Sequence, residues 1–286
     1  MDNILDVDRV SKKYNRFTLE DISFQLPKGY IMGLVGPNGA GKTTIIKAIV
    51  NAIHIDGGAI KIFDLDAKTD EIKIKEELGY IADEIYFLET WTAKDVNLLM
   101  KHLYPSWDSR TFTNFLSKYG LPMDKPVKEY SGGMKTQLML SAVFSRDTRL
   151  LLLDEPTSGL DPVMRDDFLT QIKEYIRDGE RSVLYSTHIT TDLEKTADFI
   201  TFINEGRLVF SEEADSLKEK YYLVKGSLDV LEGIQQLCIG IRTNEYGFEA
   251  LTTQSNLIKL PGSCVRQPAT IDEIVVFFGM KGDWQS

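Results

Sequence analysis

The sequence predicts an α/β fold with a parallel core sheet, and three observations predict it. The run Tyr30-Ile31-Met32-Gly33-Leu34-Val35 is short and apolar, and a glycine-rich turn at 36–41 and a helical pattern at 43–50 follow it. Such a run fits a strand buried on both faces. Further strand patterns at 149–153 and 181–186 enclose a helix from about 162 to 177. Strand, helix and strand in succession argue for parallel pairing. Between these strand-rich stretches, residues 84–147 are mostly helical and form a subdomain.

The elements follow in order. Ile4, Val7 and Val10 mix with charge, and residues 17–26 alternate with period two until Pro27-Lys28-Gly29 breaks them. This is an N-terminal antiparallel β subdomain. Residues 57–82 read as a short strand segment and a strand at Gly79-Tyr80-Ile81. Thr92-Ala93-Lys94-Asp95 is a capping box ahead of Val96, Leu98, Leu99 and Leu103. Asp108 caps a second helix with Phe112, Phe115, Leu116 and Tyr119 on one face, and Gly120 and Pro122 stop it. Ser131 caps a third, through Leu138, Leu140 and Val143. Residues 200–210, turning at Asn204-Glu205-Gly206, form a hairpin. Beyond 214 the pattern weakens to strands at 221–225 and 239–243 and helices at 227–236 and 270–278. The chain therefore divides into residues 1–213, with a helical subdomain at about 84–147, and a small α+β unit at 214–286.

Composition sets limits. The chain has 286 residues, 43% hydrophobic and 27% charged, the balance of an ordinary globular protein. Its net charge of −10 opposes nucleic-acid binding through the general field. Cys238 and Cys264 are too few for a disulfide framework and read as reduced thiols. The acidic start of the chain is no signal peptide, and no run approaches the ~20 apolar residues that span a bilayer. Any membrane role must go through another chain.

Gly36-Pro37-Asn38-Gly39-Ala40-Gly41-Lys42-Thr43 matches the phosphate-binding loop G-x-x-x-x-G-K-[ST]. Its glycines let backbone approach phosphate oxygens closely. Successive N–H groups and the following helix N-terminus point at the anion. Lys42 reaches the β- and γ-phosphates, and Thr43 offers a hydroxyl to Mg²⁺. Leu150-Leu151-Leu152-Leu153-Asp154-Glu155 is an apolar strand ending in two carboxylates. Alternation sends Asp154 and Glu155 to different sides, one for Mg²⁺ and one for a water.

These motifs, with Ser131-Gly132-Gly133, Asp154-Glu155-Pro156-Thr157, Ser158-Gly159-Leu160-Asp161 and Ser186-Thr187-His188, occur in the order of an ATP-binding cassette (ABC) ATPase. The resemblance covers about residues 3–212 and implies a P-loop nucleotide-binding domain using ATP and Mg²⁺. It implies that Tyr14 stacks on adenine and that residues 36–44, Thr44 included, hold the phosphates. Asp154 is directed at Mg²⁺, Glu155 polarises the attacking water, and His188 is the switch histidine near the γ-phosphate. Ser131, Gly132 and Gly133 match the signature that contacts ATP held by the opposite subunit, and Asp161 matches the loop that communicates across that dimer. Two departures stand out. The signature reads Tyr130-Ser131-Gly132-Gly133-Met134, and the usual Gln after the strand 78–81 is Asp83. With Tyr104-Pro105-Ser106-Trp107-Asp108, they look like bacterial drug- and peptide-exporter ATPases, including bacitracin-resistance-like proteins. The resemblance implies a homodimer or a heterodimer with a related subunit, acting from the cytoplasmic face through a separate permease. Tyr86, Phe87, Leu88 and Trp91 fall where that family touches its membrane partner. A soluble ABC ATPase without a permease is the alternative. Asp83 is expected to act on Mg²⁺ through water, with Thr43 and the phosphates as the main ligands.

Overall fold

The computed structural model describes residues 2–82 and 84–280. The N-terminal half contains β1 (Asn3–Lys13), β2 (Thr18–Pro27), β3 (Ile31–Val35), α1 (Lys42–Ile49), β4 (Gly57–Ile62), β5 (Leu65–Asp66), α2 (Glu71–Glu77) and β6 (Leu78–Ile81). The helical block is α3 (Ala93–Leu103), α4 (Ser109–Tyr119) and α5 (Gly132–Phe144). Strands and helices then alternate through β7 (Leu150–Leu153), α6 (Pro162–Tyr175), β8 (Ser182–Thr187), α7 (Thr190–Thr196), β9 (Phe199–Asn204) and β10 (Arg207–Glu213). The remainder is α8 (Ala214–Lys220), β11 (Tyr221–Gly226), α9 (Leu228–Ile234), β12 (Cys238–Asn244), β13 (Gly247–Thr253), β14 (Val265–Pro268) and α10 (Ile271–Met280).

Three sheets result. The central one has the order β10-β9-β3-β8-β7-β6. Its pairs are parallel except for the β9–β10 hairpin. β3, β7 and β8 are buried along their whole length, which explains why they read as continuous apolar runs rather than alternating ones. The second sheet, β2-β1-β4-β5, is antiparallel and packs its inward residues Leu5, Leu19 and Ile60 against Ile45 and Ile49 of α1. The third, β12-β13-β11-β14, is antiparallel too.

The expected caps are present. Thr92 and Asp95 form a reciprocal capping box on α3. Asp108 accepts from the Arg110 and Thr111 N–H groups, and Gly120 ends α4 in the left-handed conformation. At the β9–β10 turn, Glu205 (φ 48) and Gly206 (φ 75) are both left-handed, as a tight two-residue hairpin requires. The C-terminal segment is not a separate bead. Leu223, Leu251, Ile271, Ile274 and Phe277 belong to the same buried cluster as Leu193 of α7 and Phe202 and Phe210 of the β9–β10 hairpin.

Candidate active site

Strand order places the site. β3 lies between β8 and β9 in the parallel sheet, and ligands of open α/β sheets bind outside the strand carboxyl ends. Val35 pairs with Thr187, and Leu153 with Tyr185. That register brings the loop after β3, the carboxylates after β7 and His188 after β8 to one end of the sheet.

Gly39 (φ 81) and Gly41 (φ 113) adopt left-handed backbone, and a β-carbon on Gly36 would lie 2.2 Å from the Ile203 carbonyl oxygen. No side chain caps α1, so its first-turn N–H groups remain available to an anion. Ala40 is buried, and its carbonyl accepts the Gly206 N–H (3.0 Å), which ties the loop to the β9–β10 turn. The Lys42 ammonium, 6% exposed, donates to the Gly36 (2.8 Å) and Pro37 (3.4 Å) carbonyls. It also lies 3.4 Å from the Glu155 carboxylate. Lys42, Thr43, Thr44, Asn38, Glu155 and His188 all face one cleft of about 670 Å³.

The paired acids do part company, as alternation predicts. Asp154 is 1% exposed and accepts from the Ser186 hydroxyl (2.6 Å). The same hydroxyl accepts from the Glu155 N–H (2.8 Å). Glu155 itself has φ 49, so a left-handed turn, not strand geometry alone, aims it into the cleft. There one carboxylate oxygen meets His188 Nδ1 at 2.8 Å, and the other faces Lys42. A carboxylate placed between a cation and an imidazole is held in one orientation and keeps lone pairs for a water.

The other predicted residues fall elsewhere. Tyr14 is 43% exposed, with the Lys12 ammonium 5.7 Å from its ring centre, and Arg16 and Phe17 rather than Tyr14 line the cleft. Ser131 caps α5 by accepting from the Met134 N–H (3.2 Å), and Gly132 and Gly133 open that helix away from the phosphate loop's cleft. Asp161 caps α6, accepting from Val163 (2.9 Å) and Met164 (3.0 Å) N–H groups. Asp83 lies outside the described residues. Phe87 is buried while Tyr86 and Leu88 are exposed, so the segment after it is part core and part surface. Arg16, Phe17, Ser158 and Ser186 were given no role by sequence reasoning. Ser186 stood beside His188 in a quoted motif. Arg16 and Phe17 become visible only when the β1–β2 turn folds over Gly41.

Among the described residues no three His, Cys, Asp or Glu side chains converge as metal ligands. Thr43 and Asp154 offer hard oxygen donors. That sparse set fits Mg²⁺, which commonly takes one or two protein ligands and completes its shell with phosphate oxygens and waters.

Comparison with known proteins agrees with this geometry. A model of the ABC transporter family matches residues 19–158. The ABC transporter ATP-binding protein YtrB of Bacillus subtilis is 32% identical over 211 residues, covering 74% of this chain and 72% of that protein. The bacitracin transport ATP-binding protein BcrA of Enterococcus faecalis is 26% identical over 263 residues, covering 91% and 84%, which takes the likeness into the C-terminal segment. A solved ATP-binding subunit of an ABC transporter superimposes with a TM-score of 0.70 at 26% identity, covering 75% of this chain and 92% of that one.

Proposed function

The chain belongs to the ABC transporter ATPases, and from that membership we propose that it drives a separate membrane permease exporting a drug, peptide or lipid-like substrate. The observation that carries the chemistry is Glu155 held between Lys42 and His188. Phosphoryl transfer to water needs positioning and charge stabilisation more than covalent help. The loop N–H groups cradle the phosphates, and Lys42 exchanges its carbonyl partners for phosphate oxygens. Glu155 accepts a hydrogen bond from the attacking water and then its proton. His188 orients Glu155 and reaches toward the transferred phosphoryl group. Thr43, Asp154 and Asp83 would hold Mg²⁺, which would supply charge neutralisation on the phosphates.

Two sites closed by two copies, or by one copy and a related subunit, fit the signature. Gly132 has nothing of its own chain within 4 Å of where a β-carbon would sit, and Gly133 nothing nearer than 3.8 Å. Glycine is thus not demanded there by the chain's own packing, which favours a partner's approach. The permease would dock on the apolar groove of about 480 Å³ lined by Tyr86, Phe87, Trp91, Leu99 and Leu103. Among the described residues no helix is long and apolar enough to cross a membrane, so the chain would sit on the inner face of the cell membrane through that permease. Expression of the tagged full chain in its own host, followed by detergent extraction of the membrane fraction and affinity capture, tests the reading. Co-purification with substrate-stimulated phosphate release supports it. Recovery of an active ATPase that never accompanies a membrane protein overturns it in favour of a soluble assembly ATPase.

A further inference from the structure

The helix after His188 is held from the C-terminal segment. α7 starts two residues beyond His188, has only seven residues, and receives no side-chain cap at Ile189. A helix so short is not stable by itself and depends on what it is packed against. Thr190 and Glu194, one turn apart and therefore on one face, meet the first turn of α10. The Thr190 hydroxyl donates to Asp272 (2.6 Å), and the Glu194 carboxylate accepts the Ile271 N–H (2.9 Å). Thr190 is 8% exposed, and beside these bonds Leu193, Ile271 and Ile274 are buried in a common cluster.

A further residue of α7 reaches the hydrolytic loop. Asp192, 2% exposed, accepts from the Thr157 hydroxyl (3.0 Å), two residues past Glu155, and from Arg165 of α6 (2.6 Å). One short helix thus links residues 271–272 to the turn carrying His188 and to the turn carrying Glu155. His188 is 49% exposed, so beyond its contact with Glu155 its placement depends on the backbone turn that carries it.

We propose that Asp272 is a positioning residue for ATP hydrolysis: by holding Thr190 it sets the turn that places His188 against Glu155, and so the C-terminal segment governs turnover. The inference rests on reading His188 and Glu155 as the hydrolytic pair. A hydrogen bond to an ionised carboxylate is among the stronger and more directional ones. A displacement of about 1 Å at a reacting group costs up to about 100-fold in rate. A partner that moves α10 would therefore change hydrolysis without touching nucleotide.

The test uses the full chain with Asp272→Ala, Asp272→Asn and Thr190→Val, the last nearly isosteric and lacking only the donor. The expected result is a fall in kcat of about 10-fold for Asp272→Ala and Thr190→Val, with KM for ATP and ATP-analogue affinity unchanged. Asp272→Asn, whose amide oxygen still accepts, should restore most of kcat, and the Thr190→Val/Asp272→Ala double variant should lose no more than either single one. Unchanged kcat in folded Thr190→Val overturns the proposal. So does a loss of ATP affinity that parallels a fall in melting temperature, since that marks a merely structural bond. His188→Ala separates the two levels. If it stops turnover while Asp272→Ala and Thr190→Val do not alter it, this proposal alone falls. If it hydrolyses ATP at the wild-type rate, the hydrolytic reading of His188 falls and takes the inference with it.

Discussion

In the proposed reaction Glu155 takes the proton of the attacking water, and Lys42 and His188 hold its carboxylate without exhausting its lone pairs. Glu155→Gln keeps the shape but cannot take the proton. It should slow single-turnover phosphate release about 10²–10⁴-fold while ATP still binds and an ATP-bound dimer persists in light scattering. Lys42→Ala, in contrast, should lose both nucleotide affinity and the dimer. The two thiols are a second case at this scale. Burial, with Cys264 nearby, pushes the Cys238 thiol up to about 11. The folded state then holds its proton where the unfolded chain, near the ordinary value of 9.0, releases it. Stability from this group is therefore lost as pH rises from about 9 toward 11. Cys238→Ala should flatten that alkaline limb of the melting profile. At pH 7.5 a thiol reagent should label the native chain slowly, because well under about 1% of Cys238 is thiolate. That the two cysteines form no disulfide was legible from their number; the burial that raises the Cys238 thiol was not, since it is a tertiary property.

Gly206 shows what one turn can carry. Its N–H supports the phosphate loop at Ala40, its carbonyl accepts the Glu20 N–H, and a β-carbon would sit 1.9 Å from the Thr18 carbonyl oxygen. Gly206→Ala should therefore lower unfolding free energy by more than about 2 kcal/mol and weaken ATP binding. Denaturant titration and calorimetric nucleotide titration measure the two effects. The hairpin itself was readable from Asn204-Glu205-Gly206, as were the caps at Thr92, Asp108 and Ser131. Helix α2 was not. Ile72 and Ile74 alternate with charge like a strand, yet only Ile74 is buried and Ile72 is 80% exposed. α7, α8 and β13 escaped too. α7 and α8 have one or two turns each, and β13 has a pattern that makes sense only beside β11 and β12.

Across the molecule, the sequence revealed that the phosphate loop, Glu155 and His188 meet, because β3, β8 and β7 are neighbours in the sheet and each of these three follows one of them. The apolar face of α10 packs on β12 and β13 of its own sheet. Ile271, Ile274 and Phe277 are also buried against α7 and the β9–β10 hairpin, and Phe278 meets Phe210 and Tyr221 edge-on at 5.4 Å. Hydrogen bonds spanning 77 and 82 positions fix that placement, and no local period encodes them. Residues 214–286 carry none of the phosphate-loop, Asp-Glu or His188 motifs, so their removal should spare ATP binding. The shared core adds a cost: truncation after Glu213 should uncover Phe202 and Phe210, lower the melting temperature and promote aggregation. Every residue proposed to contact phosphate lies upstream, so the soluble fraction should keep its ATP affinity. Differential scanning fluorimetry and a binding titration on the same preparation read both outcomes.

The left-handed backbone at Glu155 sets endurance against turnover. A side chain with a β-carbon costs about 1–2 kcal/mol in that conformation, whereas glycine, and more weakly asparagine, adopt it readily. Lys42 keeps its two loop carbonyls whatever stands at 155. Heat challenge of a random library, with survival as the sole criterion, would therefore enrich Glu155→Gly and Glu155→Asn. The winners would melt later than the parent and release no phosphate, so a directed-evolution campaign on this chain has to score hydrolysis in every round.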